Sequence, residues 1–154
     1  RILRMKDFKD VNEVLDFAIK REQDAANFYS ELAERVDKKL KDEFKFLALE
    51  ELAHKRKLMA VKEGKKLLDS NNMVQDLKIS DYLVEMKPRA DMNYQEVLML
   101  LMQREKAAAN LYSFLAKRAA DKELKEMFLG LASEELKHKL RFEIEYDREI
   151  FKEN

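Results

Sequence analysis

The sequence predicts an all-α protein built from two similar antiparallel helical hairpins, and three observations support this fold class. First, the 154 residues include only two glycines and one proline, whereas these two residues together usually make up about 12% of a protein. Second, helix-favouring Leu, Ala, Lys, Glu and Met are abundant, and neither alternating β-branched runs nor Asn-Gly turns occur. Third, one long segment is repeated, and apolar residues in it recur every three or four positions.

The composition narrows the class of protein. Charged residues make up 40% of the chain but balance to zero, so no basic surface for nucleic acid is expected. Cysteine is absent, which excludes disulfides, thiolate zinc sites and cysteine-ligated iron sites in this sequence. No apolar run approaches the roughly 18 residues of a membrane span, and the start "RILRMKDFKD" has no signal-like apolar region. We therefore expect a soluble, cytoplasmic protein that interacts with neither nucleic acid nor membrane.

The repeat pairs two segments of about forty residues. "KREQDAANFYSELAERVDKKLKDEFKFLALEELAHKRKL", which begins at Lys20, matches "QREKAAANLYSFLAKRAADKELKEMFLGLASEELKHKLRF", which begins at Gln103, with one extra residue near Ala120. Self-similarity of this kind indicates a repeated structural unit. Each copy predicts two long helices joined by a short turn, near Asp37 in the first copy and near Asp121 in the second.

The order of the elements predicts one domain, residues 1–154, with a long crossover. The first hairpin is expected at about 8–67 and the second at about 92–152. The segment between them, 69–91, contains Asn and Pro and is too long for a tight turn, so it can carry the chain along a four-helix bundle. The four predicted helices span about 8–36, 39–67, 92–119 and 122–152.

Each predicted helix has an apolar stripe that is interrupted by one glutamate. A stripe at three- and four-residue spacing forms the face that a helix buries. In the second and fourth helices, a histidine follows the glutamate by three residues and lies on the same face. The interrupting residues are Glu22, Glu51, His54, Glu105, Glu135 and His138.

The spacing also predicts that these glutamates lie at matching depths. Glu22 precedes Asp37 by 15 residues and Glu51 follows it by 14, so both are roughly 21 to 24 Å from the turn at about 1.5 Å per residue. The second hairpin has nearly the same spacing. If the hairpins pack about a pseudo-twofold axis, four Glu and two His converge, and such buried carboxylates would cost several kcal/mol without a counter-charge. Two divalent metal ions would balance the four charges.

The ligand types favour particular metals. An oxygen-rich set with one histidine per metal suits iron or manganese better than structural zinc. One Glu from each of two helices and Glu-x-x-His from each of the other two is the pattern of ferritin-like di-iron and di-manganese proteins. On these residues the sequence resembles the ferritin-like superfamily, and most closely the di-iron domain of rubrerythrin-like proteins, over nearly the whole chain.

The resemblance implies a ferritin-like four-helix bundle and particular roles for residues. It assigns two iron ions, or manganese, to the six residues named above. Tyr29 and Tyr112, seven residues after Glu22 and Glu105, match the tyrosines beside the site in that family. They are expected either to pack as core aromatics or to bond ligand carboxylates and pass protons or electrons. Two features depart from the family: a rubredoxin-like iron site is absent from this sequence, and Ala108 stands where rubrerythrins commonly have a further glutamate.

The resemblance also implies a function, and three possibilities remain open at this point. The first is a rubrerythrin-like peroxidase or oxidoreductase that reduces hydrogen peroxide or dioxygen with electrons from a separate donor such as a rubredoxin or a flavoprotein. The second is ferrous iron binding or ferroxidase activity in iron handling. The third is a structural bundle in which metal stabilises the fold without turnover. A homodimer formed through exposed hairpin faces is expected.

Overall fold

The computed structural model of the chain describes residues 11–64 and 91–153. These residues form four α-helices and, among them, no strand: α1 Val11–Ala33, α2 Lys38–Glu63, α3 Tyr94–Lys117 and α4 Lys122–Glu153. None of the helices in the described residues is long and apolar enough to cross a membrane. The helices form two compact units, hairpin 1 with α1 and α2 and hairpin 2 with α3 and α4.

This pairing confirms the predicted all-α class and the two helical hairpins. The predicted crossover, apart from its last residue Asp91, lies outside the described residues. So do the predicted helix ends at 8–10 and 65–67.

The turn of hairpin 1 begins earlier than the sequence predicted. Helix α1 ends at Ala33 rather than at 36, because the amides of residues 34 and 35 donate to carbonyls three residues back, at 3.1 and 2.9 Å. Such bonds tighten the last turn and end a helix. Asp37 has an extended backbone, and its side chain accepts a hydrogen bond from the Leu40 amide at 3.2 Å. The predicted turn residue is therefore the N-cap of α2.

Hairpin 2 has caps at the start of both helices. Before α3, the Asn93 side chain accepts from the Glu96 amide at 2.8 Å, and the Glu96 carboxylate accepts from the Asn93 amide at 3.0 Å. This reciprocal pair is a capping box. Before α4, the Asp121 side chain accepts from the Leu124 amide at 2.7 Å. The aspartates at which both turns were predicted thus have the same role in the two hairpins.

The predicted apolar stripes are buried within the hairpins. Tyr29 of α1 packs against Phe44 of α2, with ring centroids 6.1 Å apart. Tyr112 of α3 stacks on Phe128 of α4, with centroids 6.5 Å apart and an angle of 16° between the rings. Burying an aromatic or large aliphatic side chain stabilises a fold by about 1.5–3 kcal/mol. Other large side chains that are fully buried include Leu47, Leu58, Leu98, Leu101, Leu111, Leu115 and Leu131.

Candidate metal centre

Hairpin 1 brings together the three ligands predicted from its sequence. Glu22 lies on α1, and Glu51 and His54 lie one turn apart on α2. All three are buried, with 0% of Glu22, 0% of Glu51 and 1% of His54 exposed. Each offers a ligand atom within 4.8 Å of the others, which is close enough to hold a metal ion. The matching depths predicted from the 15- and 14-residue spacings are therefore realised.

The His54 imidazole is aimed at the two carboxylates. Its Nδ1 lies 3.6 Å from Glu22 Oε1 and 3.2 Å from Glu51 Oε1. The spacing of three residues places His54 and Glu51 on one face of α2, and Glu22 approaches from α1. Nδ1 is therefore the imidazole nitrogen that can share a cation with both carboxylates.

Hairpin 2 repeats this arrangement. Glu105 of α3 and Glu135 of α4 are 0% exposed, and His138 of α4 is 3% exposed. The His138 Nδ1 lies 2.8 Å from Glu105 Oε2 and 3.4 Å from Glu135 Oε1. Their ligand atoms also lie within 4.8 Å of one another. The repeat in the sequence is thus also a repeat of a buried cluster of two glutamates and one histidine.

Two buried arginines were missed by the sequence analysis. Arg21 is only 8% exposed, and its Nη1 lies 3.3 Å from Glu22 Oε2 and 3.9 Å from Glu51 Oε2. Arg104, which directly precedes Glu105, is 5% exposed. The signal was present, because both copies of the repeat have Arg immediately before the interrupting glutamate, in "KREQ" and "QREK". An arginine beside an apolar stripe is usually solvated, so the pattern by itself did not mark it.

The charge of hairpin 1 fits a divalent cation. Glu22 and Glu51 together bring two negative charges when ionised, and Arg21 brings one positive charge into contact with them. Both carboxylates are fully buried, where anionic groups are costly unless cations balance them. Two carboxylates and one imidazole are also a donor set that iron and manganese accept. The residues present therefore fit the metal that the sequence implied.

The two tyrosines are buried within the hairpins. Tyr29 is 1% exposed and Tyr112 is 0% exposed, and each packs on a phenylalanine of the neighbouring helix. Packing is thus one of their roles, and a part in proton or electron transfer stays a prediction. Ala108, also buried, lies one turn after Glu105 and has no ligand atom to offer.

The comparisons with known proteins agree on the fold. The sequence profile of the rubrerythrin family matches residues 13–94. A proposed ferritin-like diiron-carboxylate protein from Thermotoga maritima is 22% identical over 95% of this chain and 99% of that one, with a TM-score of 0.77. A hypothetical protein from Pyrococcus furiosus is 26% identical over 88% and 87% of the two chains, with a TM-score of 0.66. No curated protein is significantly similar. The predicted ferritin-like fold is confirmed by the structural likeness.

Proposed function

This chain belongs to the rubrerythrin family, and from that membership we propose that it is a di-iron carboxylate oxidoreductase. The proposed reaction is reduction of hydrogen peroxide or dioxygen with electrons from a separate donor. Family and fold support a di-iron protein. The observation that carries the proposal is that each hairpin buries two glutamates and one histidine with ligand atoms within 4.8 Å.

The proposed cofactor is a pair of iron ions, and manganese shares the same ligand preferences. When bound, the metal pair supplies electrons to the oxidant and acts as a Lewis acid toward it. The proposed ligands are Glu22, Glu51 and His54 of hairpin 1 and Glu105, Glu135 and His138 of hairpin 2.

The residues of hairpin 1 would support such chemistry in three ways. The Glu22 and Glu51 carboxylates can bind through one or both oxygens, so they can adjust when the charge of the metal changes. Arg21 holds these carboxylates in place by contacts at 3.3 and 3.9 Å. The buried aromatic rings of Tyr29 and Phe44 pack between the helices two turns away and would limit the access of water from that side. A buried, oriented donor set of this kind is the condition for controlled reduction of an oxidant.

The electron balance requires a donor. Reduction of one hydrogen peroxide to two water molecules consumes two electrons and two protons. The sequence has no cysteine and therefore no cysteine-ligated iron site to deliver electrons. We propose a rubredoxin or a flavoprotein as the donor, with hydrogen peroxide or dioxygen as the oxidant.

The proposal is tested by stopped-flow absorbance. Protein loaded anaerobically with ferrous iron is mixed with hydrogen peroxide and, separately, with dioxygen, after metal analysis. We expect two metal ions per chain and faster oxidation by peroxide. Faster oxidation by dioxygen would favour ferroxidase or oxidase activity instead. Two metal ions with no oxidation by either would favour the metal-stabilised structural bundle, and absence of bound metal would overturn the site.

The role of the Tyr112 hydroxyl is tested by Tyr112→Phe. The ring remains to pack on Phe128, so we expect unchanged iron content and a loss of only about 1 kcal/mol in the free energy of unfolding. If the hydroxyl orients a ligand or passes a proton, the oxidation rate falls about tenfold. Tyr146→Phe on α4 is the matched control, because Tyr146 was not predicted to lie beside the site. An unchanged rate in Tyr112→Phe would limit this tyrosine to packing.

A further inference from the structure

Arg21 and His54 contact different oxygens of the same two carboxylates. The Arg21 Nη1 lies 3.3 Å from Glu22 Oε2 and 3.9 Å from Glu51 Oε2. The His54 Nδ1 lies 3.6 and 3.2 Å from the Oε1 atoms of the same two glutamates. A cation that is shared by Nδ1 and the two Oε1 atoms would therefore leave the contacts of the guanidinium with the Oε2 atoms in place.

The positive charge of Arg21 is permanent and is little screened by water. A guanidinium keeps its proton at physiological pH, whatever its surroundings. Arg21 is 8% exposed, and the two glutamates that it contacts are 0% exposed. Charges that lie close together in such a buried place interact more strongly than charges at the surface. A cation held by Glu22, Glu51 and His54 would therefore lie next to a fixed positive charge.

The internal repeat keeps this arginine while the residues around it change. The corresponding segments are "KREQ" at 20–23 and "QREK" at 103–106, so the Arg-Glu pair is the same and both flanking residues differ. Arg104, the counterpart of Arg21, is also buried, with 5% of its side chain exposed. A buried arginine directly before the ligand glutamate is therefore a feature of both hairpins.

A fixed positive charge disfavours the more highly charged of two cations. Coulomb repulsion grows in proportion to the charge of the cation, so Arg21 opposes a trivalent ion more than a divalent ion. Between charges a few ångströms apart in a protein, one unit of charge changes the affinity by about tenfold or more. Because the relative affinities for ferric and ferrous iron set the reduction potential, a tenfold change in their ratio shifts that potential by about 59 mV.

We propose that Arg21 is a positioning residue that makes the metal site of hairpin 1 selective for divalent over trivalent cations. It holds the Oε2 atoms of Glu22 and Glu51, and its charge raises the reduction potential of bound iron. One electron from an external donor then returns ferric iron to the ferrous state more readily. The inference rests on the proposed metal site but not on the proposed reduction of hydrogen peroxide or dioxygen.

Two cations that do not change oxidation state test the selectivity without any turnover. Zn²⁺ and Ga³⁺ are similar in size, so the ratio of their affinities reports mainly on charge. Competition between the two ions, followed by metal analysis after dialysis, measures this ratio for the full chain. We expect Arg21→Met to raise the affinity for Ga³⁺ relative to Zn²⁺ by about tenfold or more, because the repulsion that opposes the third charge is removed.

Two control variants separate the charge of Arg21 from its shape and from the total charge of the chain. Arg21→Lys keeps the positive charge without the planar guanidinium, so it is expected to retain the affinity ratio of the unaltered protein. Lys20→Met removes the same charge from a side chain that is 76% exposed, and it should leave the ratio unchanged. An equal rise in Lys20→Met or in Arg21→Lys, or no rise in Arg21→Met, would overturn the inference.

The reduction potential of bound iron gives an independent readout. In a spectroelectrochemical titration, Arg21→Met is expected to lower the potential by about 59 mV or more, the equivalent of a tenfold change in affinity ratio. Arg21→Gln, whose amide can still donate to the carboxylates, replaces the methionine variant if circular dichroism shows that the latter is not helical. An unchanged potential in a helical, iron-loaded variant without the charge would overturn the inference alone. Absence of bound metal in the unaltered protein would instead overturn the metal site and the inference with it.

Discussion

Replacing Glu51 with glutamine is expected to reduce the affinity for ferrous iron more than 100-fold and to remove at least half of the bound metal. Glutamine keeps the shape of the side chain but removes the charge, and Glu51 is 0% exposed, so water cannot easily take its place. Changes in groups that only support a ligand already cost about 10- to 100-fold in metal affinity, and loss of a ligand should cost more. Anaerobic titration with ferrous iron and metal analysis after dialysis measure both quantities.

The neighbouring residue is the control for this substitution. Glu50 is only partly buried and lies off the apolar stripe of α2, so Glu50→Gln is expected to retain full metal content. The pair Glu135→Gln and Glu134→Gln makes the same comparison in hairpin 2, where Glu135 is 0% exposed. Full metal occupancy in Glu51→Gln or in Glu135→Gln would show that the proposed ligand set is wrong.

Replacing Arg21 with methionine is expected to lower the free energy of unfolding of the metal-free protein by about 3 kcal/mol. Removal of one partner from a buried ion pair leaves the other charge without compensation, which typically costs about 3–5 kcal/mol. Here the group left behind is the carboxylate pair of Glu22 and Glu51, whose oxygens lie 3.3 and 3.9 Å from the guanidinium. Urea denaturation of protein prepared with a chelator measures the loss.

Measuring the stability of Arg21→Met with and without ferrous iron shows whether the loss arises from the two carboxylates. Because a divalent cation would neutralise the same two carboxylates, we expect ferrous iron to recover most of the lost stability. Lys20→Met is the matched control, since Lys20 precedes Arg21 but its side chain is 76% exposed and pairs with Asp24 at the surface. Its effect should stay below about 1 kcal/mol, with or without iron. Equal losses with and without iron would mean that Arg21 supports the fold but not the carboxylates.

Much of the fold was predictable because its determinants are local or repeated. The three- and four-residue spacing on each helix depends only on helix geometry, so it placed Glu51 and His54 on the buried face of α2 before any contact was known. The internal repeat supplied the hairpins and placed turns at Asp37 and Asp121, where N-caps occur. The end of α1 was predicted less well, because short-range bonds closing the last turn compete with helix continuation and leave little trace in composition.

The all-α class, the duplicated hairpins and the helix faces on which the glutamates and histidines lie all follow from the order of the amino acids. This is possible because a helix has a fixed number of residues per turn and a fixed rise per residue. The spacing between two residues therefore gives the helix face on which each lies and their distance along the helix axis. The folded structure was needed to show that Arg21 is buried against Glu22 and Glu51, and that Leu136 and Leu140 of α4 are exposed. Both features depend on which neighbouring helix covers a given face of a helix. That is determined by contacts between residues that are far apart in the sequence.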